Sequence, residues 1–89
     1  MTASQILISN TQYFCKKNGI RIQDFEEEIG MTRGHLARYY RTEKPIGLDT
    51  AVYISKRFGI SLDMLVSEDI QRQERIVKLE RELANLKKE

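Results

Sequence analysis

The twenty residues from Ile22 to Arg41 constrain this chain more than any other stretch. Two short runs of helix-forming sequence meet at Gly30 and differ sharply in charge. The first run carries Asp24, Glu26, Glu27 and Glu28; the second carries Arg33, Arg38 and Arg41. Glycine adopts a left-handed backbone without steric cost, so Ile29-Gly30-Met31 predicts a tight turn between two helices, with Met31 filling the space beneath it. Thr32 is a good N-cap for the helix that follows, its hydroxyl accepting from an unpaired backbone N–H. On this reading Gly34 falls inside that helix, at a cost of about 1 kcal/mol relative to Ala. It is there either because the helix tolerates it or because the backbone must approach a phosphate or a base.

Helices account for the rest of the chain as well. No segment alternates apolar and polar residues at period two, and Pro45 and four of the five glycines sit at breaks between periodic runs. The fold class is therefore all-α. A first helix is expected from about Ser4 to Lys17, ending at Asn18-Gly19, with Leu7, Thr11, Phe14 and Cys15 on one face. The second should turn Phe25 and Ile29 inward. The third should bury Leu36 and Tyr39 and leave Tyr40 more exposed, because the two tyrosines cannot both point inward. After a loop over residues 42–47, a fourth helix opens at Leu48 or Asp49, with Leu48, Ala51, Val52, Ser55 and Phe58 inward, and ends at Gly59. Ser61 caps a short fifth helix, with Leu62 and Leu65 inward; Met31 and Met64 read as core fillers. Residues 1–67 thus form one five-helix domain.

Residues 68–89 have a different texture, without Gly or Pro and rich in strong helix formers. Ile76, Leu79, Leu83 and Leu86 are spaced three, four and three, the seam of a coiled coil. With Ile76 as an a position, g falls on Arg75 and Glu82 and e on Glu80 and Lys87. A parallel pair sets Arg75 against Glu80 and Glu82 against Lys87; an antiparallel pair is also complementary, so orientation stays open. This predicts a dimerisation helix. The alternative is an amphipathic helix lying on its own domain, since two heptads are short for a coiled coil.

The overall charge decides little: 15 Lys and Arg against 13 Asp and Glu. Its distribution decides more. Residues 32–44 hold Arg33, Arg38, Arg41 and Lys44 against Glu43, whereas residues 21–31 hold Arg21 against four acids. A local basic patch on a balanced chain fits anion recognition. A single Cys excludes an internal disulfide framework, one Cys and one His are too few for the usual protein zinc site, and no phosphate loop or paired nucleophile and base is present. No enzyme, metal or cofactor is expected. No apolar run approaches the roughly 18 residues needed to span a membrane, so the chain reads as a soluble, cytoplasmic protein with no membrane partner.

From about residue 10 to residue 66 the chain resembles the lambda-repressor-like (Cro/repressor-type) helix-turn-helix family of bacterial and phage regulators. The resemblance rests on Gly30 at the turn, Thr32 after it, apolar Leu36 and Tyr39, and the run Leu48-Asp-Thr-Ala-Val-Tyr-Ile-Ser-Lys-Arg-Phe-Gly-Ile-Ser-Leu-Asp-Met-Leu65. It implies a five-helix DNA-binding domain, with the coiled-coil helix appended, whose third helix enters the major groove. Thr32, Arg33, Gly34, His35 and Arg38 would then meet base edges, an arginine gripping guanine O6 and N7. Gln23, Tyr40, Arg41 and Lys44 would hold the DNA backbone. The partner is double-stranded DNA, bound at a palindromic operator by a homodimer joined through Ile76, Leu79, Leu83 and Leu86. The competing reading is an interaction module or antitoxin whose C-terminal helix docks a partner protein. Two positions depart from the family pattern: Ile22 stands where Gln commonly opens the second helix, and Glu26 stands where Ala is usual. A carboxylate is costly to bury without partners, so Glu26 is expected to lean into solvent or pair with a base such as Arg38.

Overall fold

In the computed structural model, which describes residues 1–87, six helices follow one another: α1 (Ala3–Lys17), α2 (Ile22–Glu28), α3 (His35–Thr42), α4 (Leu48–Phe58), α5 (Leu62–Leu65) and α6 (Ile70–Lys87). No strand occurs among the described residues. α1 is the central element, packing against α2, α3, α4, α5 and α6. Its start is fixed by a reciprocal pair of bonds: Thr2 Oγ1 accepts from Gln5 N and Gln5 Oε1 accepts from Thr2 N. Asn18 ends it, followed by Gly19.

The core is built from Leu7, Ile8 and Cys15 of α1, Phe25 of α2, Leu36 of α3, Ala51 and Ile54 of α4 and Leu65 of α5. Phe14, Phe58 and Phe25 stack in series, with ring centroids 5.6 and 5.3 Å apart. The expected face of α1 is buried throughout. Asn10, buried beside it, donates through Nδ2 to the Leu65 and Ser67 carbonyls at 2.8 and 3.0 Å, while its Oδ1 accepts from Gln71 Nε2 at 3.0 Å. One polar side chain thus joins α1 to the end of α5 and the start of α6, with its bonding capacity largely used, as burial demands.

Several expected core positions are corrected. α4 fully buries Ile54 beside Ala51 and Ser55, whereas Leu48 is 73% exposed. Leu48 continues the stripe of Ala51, Ser55 and Phe58, but it occupies the first position of the helix, where no other element covers it. α5 has only four residues, so a single turn buries Leu65 and leaves Leu62 and Met64 exposed. Tyr39 and Tyr40 are both half-buried against the core. Gln5 Nε2 donates to the Tyr40 carbonyl at 2.9 Å, and Ser4 Oγ accepts from Ile46 N at 2.9 Å.

α6 touches the domain through its first turns only. Ile70 is buried, Gln71 bonds to Asn10, and Glu74 accepts from Tyr13 Oη and from Lys17 Nζ, each at 2.7 Å. Ile76, Leu79, Leu83 and Leu86 are all exposed, so the stripe does not lie on its own domain. At 100° per residue the centre of that stripe is about 155° around the helix from the centre of Ile70, Gln71 and Glu74. The last two residues of the expected tail, 88 and 89, lie outside the described residues.

Candidate nucleic-acid interface

The turn between α2 and α3 is built differently from the sequence expectation, and the difference centres on Glu26. Gly30 is left-handed, with φ +75°, as the tight turn requires. Thr32 does not cap α3. The helix begins at His35, and its N-cap is Gly34 with φ +80°, a conformation available to glycine without steric cost. A Cβ added at Gly34 would meet no atom within 4 Å, so the backbone conformation explains this glycine and crowding within the protein does not. It is not a helix-interior residue paying a propensity cost.

The cap comes instead from α2. Glu26 is 2% exposed; its Oε1 accepts from Gly34 N at 3.1 Å and its Oε2 from Leu36 N at 3.0 Å. It neither leans into solvent nor pairs with Arg38. The partners that make this burial tolerable are the unpaired amides at the start of α3, and a carboxylate there also opposes the positive end of the helix dipole. One side chain therefore joins the two helices of the motif and fixes the start of the second. The signal in the sequence was an acid eight residues before a glycine; without knowing that α3 starts late, the pairing could not be read.

Thr32, released from capping, accepts from Arg38 Nη2 at 3.0 Å, while its carbonyl closes the turn by accepting from His35 N at 3.1 Å. Arg38 is thereby held along the outer side of α3 near the turn. Arg33, Ala37, Arg38, Arg41 and Lys44 are exposed, whereas Gly34 and His35 are half-buried. The His35 ring stacks on Tyr39 with centroids 4.1 Å apart, and Lys44 Nζ lies 5.6 Å from the Tyr39 ring. Tyr40 sits toward the other end of α3, its hydroxyl 3.5 Å from the Met1 sulfur. Gln23 and Arg33 border a shallow hollow of about 180 Å³ together with Gln12 of α1. Gln12 was not singled out from sequence: an exposed polar residue on α1 has no local mark that sets it beside α3.

The charge contrast resolves into paired and unpaired groups. Among the described residues no ion pair engages Arg33, Arg38, Arg41 or Lys44. Three of the four acids of α2 are occupied: Asp24 by Arg21, Glu26 by α3, and Glu28 by Arg57 and Tyr53. The bond from Tyr53, with help from Arg57, holds the Glu28 carboxyl below its ordinary value. The acidic helix thus spends most of its charge within the fold, and the cations of α3 are left to face outward.

The helix-turn-helix family, in its lambda-repressor-like Cro/repressor form, matches residues 12–65. That span takes in the last six residues of α1 and all of α2 to α5. No curated protein and no solved structure was found to match the chain. No described helix is long and apolar enough to cross a membrane.

Proposed function

The chain belongs to the lambda-repressor-like helix-turn-helix family of DNA-binding regulators, and from that premise we propose that it reads a palindromic operator as a homodimer, in the manner of a phage repressor. α3 lies in the major groove, with Thr32, Arg33, Gly34, His35 and Arg38 toward base edges and Gln23, Tyr40, Arg41 and Lys44 toward phosphates. The observation that carries this reading is the set of exposed, unpaired cations on α3 and the loop after it, beside an acidic helix whose charges are mostly engaged. Glu26 supports it in a second way. With a carboxylate already on the α3 amides, anion attraction falls to the side chains, which can distinguish bases where a helix terminus cannot.

The dimer is supported by the exposed stripe of Ile76, Leu79, Leu83 and Leu86 and by its complementary flanking charges. Because the stripe and the docked side of α6 lie on opposite faces, two copies pair without lifting α6 from α1. Two half-sites one helical turn apart, about 34–36 Å, would meet two recognition helices.

Selection on random duplex DNA tests the proposal. The expected product is a palindrome with half-sites about one turn apart. Arg38→Ala then weakens binding to it by about 1–3 kcal/mol and relaxes one base position. Arg41→Ala or Lys44→Ala weakens all sequences alike and lowers the salt slope by about one unit. A folded Arg33→Ala/Arg38→Ala double variant that binds the selected site as tightly as the parent overturns the groove assignment.

A further inference from the structure

A second surface lies away from the recognition residues. α1, α5 and α6 enclose an open groove of about 820 Å³, bordered by Lys16 and Lys17 of α1, Met64 of α5, and Val77, Lys78 and Arg81 of α6. Its floor is apolar: Met64 and Val77 are 46% and 45% exposed although both are large hydrophobic residues, and the Tyr13 ring and Ile70 adjoin them. Its rim is basic. Among the described residues Glu74 is the one acid on it and is already bonded to Lys17 and Tyr13, while no ion pair engages Lys16, Lys78 or Arg81.

We propose that this groove docks an acidic amphipathic helix of a partner protein. Three features point to that occupant. An apolar floor gains nothing from a sugar-phosphate backbone but gains from burying aliphatic side chains. The unpaired cations on both walls complement glutamates or aspartates flanking such side chains and oppose a basic partner. The walls are themselves helices, and along α6 residues 70–81 extend about 16 Å at 1.5 Å per residue. That length accommodates roughly three turns of a third helix laid over the apolar floor, anchored at positions three and four apart. The groove lies on the side of α6 away from Ile76, Leu79, Leu83 and Leu86, so it stays open in the dimer proposed above. Two grooves per dimer would let a bivalent partner bind with raised effective concentration.

The test uses the full chain and four probes: a 15-residue peptide with leucines at helical spacing and glutamates elsewhere, its scrambled counterpart, the same leucine pattern with lysines, and a random-sequence duplex. Binding is followed by fluorescence anisotropy and by amide shifts of groove residues. The acidic peptide is expected to bind at least tenfold more tightly than the scrambled or lysine peptides and to shift the amides of Lys16, Val77 and Lys78. Lys78→Glu/Arg81→Glu should weaken it at least tenfold and improve binding of the lysine peptide. Val77→Glu should weaken the acidic peptide similarly while DNA affinity stays within twofold of the parent. Equal binding of the scrambled peptide overturns the proposal. So does duplex that competes for the groove and loses affinity with the double reversal, which would assign the rim to nucleic acid, or sedimentation in which Val77→Glu dissociates the dimer and Leu83→Ala does not, which would seat a second copy in the groove. None of these outcomes depends on the operator assignment.

Discussion

Glu26→Gln isolates the contribution of the interhelical cap, because glutamine has the shape of glutamate and leaves no cavity. The parent carboxylate accepts two amide bonds, at 3.1 Å from Gly34 and 3.0 Å from Leu36. Bonds to a charged group contribute about 1.5–3 kcal/mol each. Glutamine offers one oxygen, so one amide keeps a neutral and weaker acceptor while the other faces an NH2 group, donor against donor. Loss of the charge at the start of α3 removes about 0.3–1 kcal/mol more. Together these give a destabilisation of about 2–4 kcal/mol, set against a total of roughly 4–13 kcal/mol for a chain of this length. Urea unfolding followed by far-ultraviolet circular dichroism measures the difference, and thermal unfolding should fall by on the order of 10–25 °C. In hydrogen exchange the Gly34 and Leu36 amides should lose protection before the amides of α1. A variant within about 0.5 kcal/mol of the parent, with those two amides equally protected, would refute the assignment of Glu26 as the cap.

Burial pushes the Cys15 thiol up to about 11; it should resist a disulfide reagent at neutral pH in the folded protein and react quickly once urea exposes it. Partial burial acts to raise the Glu74 carboxyl, but the bonds from Lys17 and Tyr13 outweigh it and hold the group below its ordinary value. A depressed carboxylate stabilises above its unfolded value and loses that contribution as pH falls through the folded one, so strong acid should release the first turns of α6 from α1, seen as faster amide exchange over residues 70–74. Ending the chain after Arg75 should preserve the stability of the five-helix unit, whereas ending it after Ser67 should cost about 1.5–3 kcal/mol for Ile70 alone, read by urea unfolding.

The helices and the family were legible because their signals are local. Asn18-Gly19, Gly30, Ser61 and the face of Leu7, Thr11, Phe14 and Cys15 declare themselves within a few residues of chain. Glu26 was misread because a buried carboxylate is judged by its partners, and these are backbone amides eight and ten residues away, exposed to it only after Gly34 delays the helix. Thr32 was misread for the same reason: its type fits a cap, but a competing cap had already taken the amides. Asn10 gave no signal at all, since its partners Leu65, Ser67 and Gln71 are more than fifty residues distant. Leu48 and Leu62 show the complementary error, in which periodicity states which residues share a face but not how far a neighbour reaches along it.

The proposed site and the proposed dimer constrain each other energetically. A seam of two heptads is a weak dimeriser, because short helices are marginal in water and each partner must order its own. The structure reduces that cost: Ile70, Gln71 and Glu74 tie the first turns of α6 to α1, so the helix is nucleated before a second copy arrives. What remains is the association itself, and a palindrome supplies it by holding two recognition helices at high effective concentration. Leu83→Ala should therefore weaken binding to the full palindrome more than to a half-site, and by a factor that shrinks as protein concentration rises. A seam that acted only in folding would instead lower both affinities together at every concentration, because the loss would then lie in the fraction of folded chain and not in the pairing.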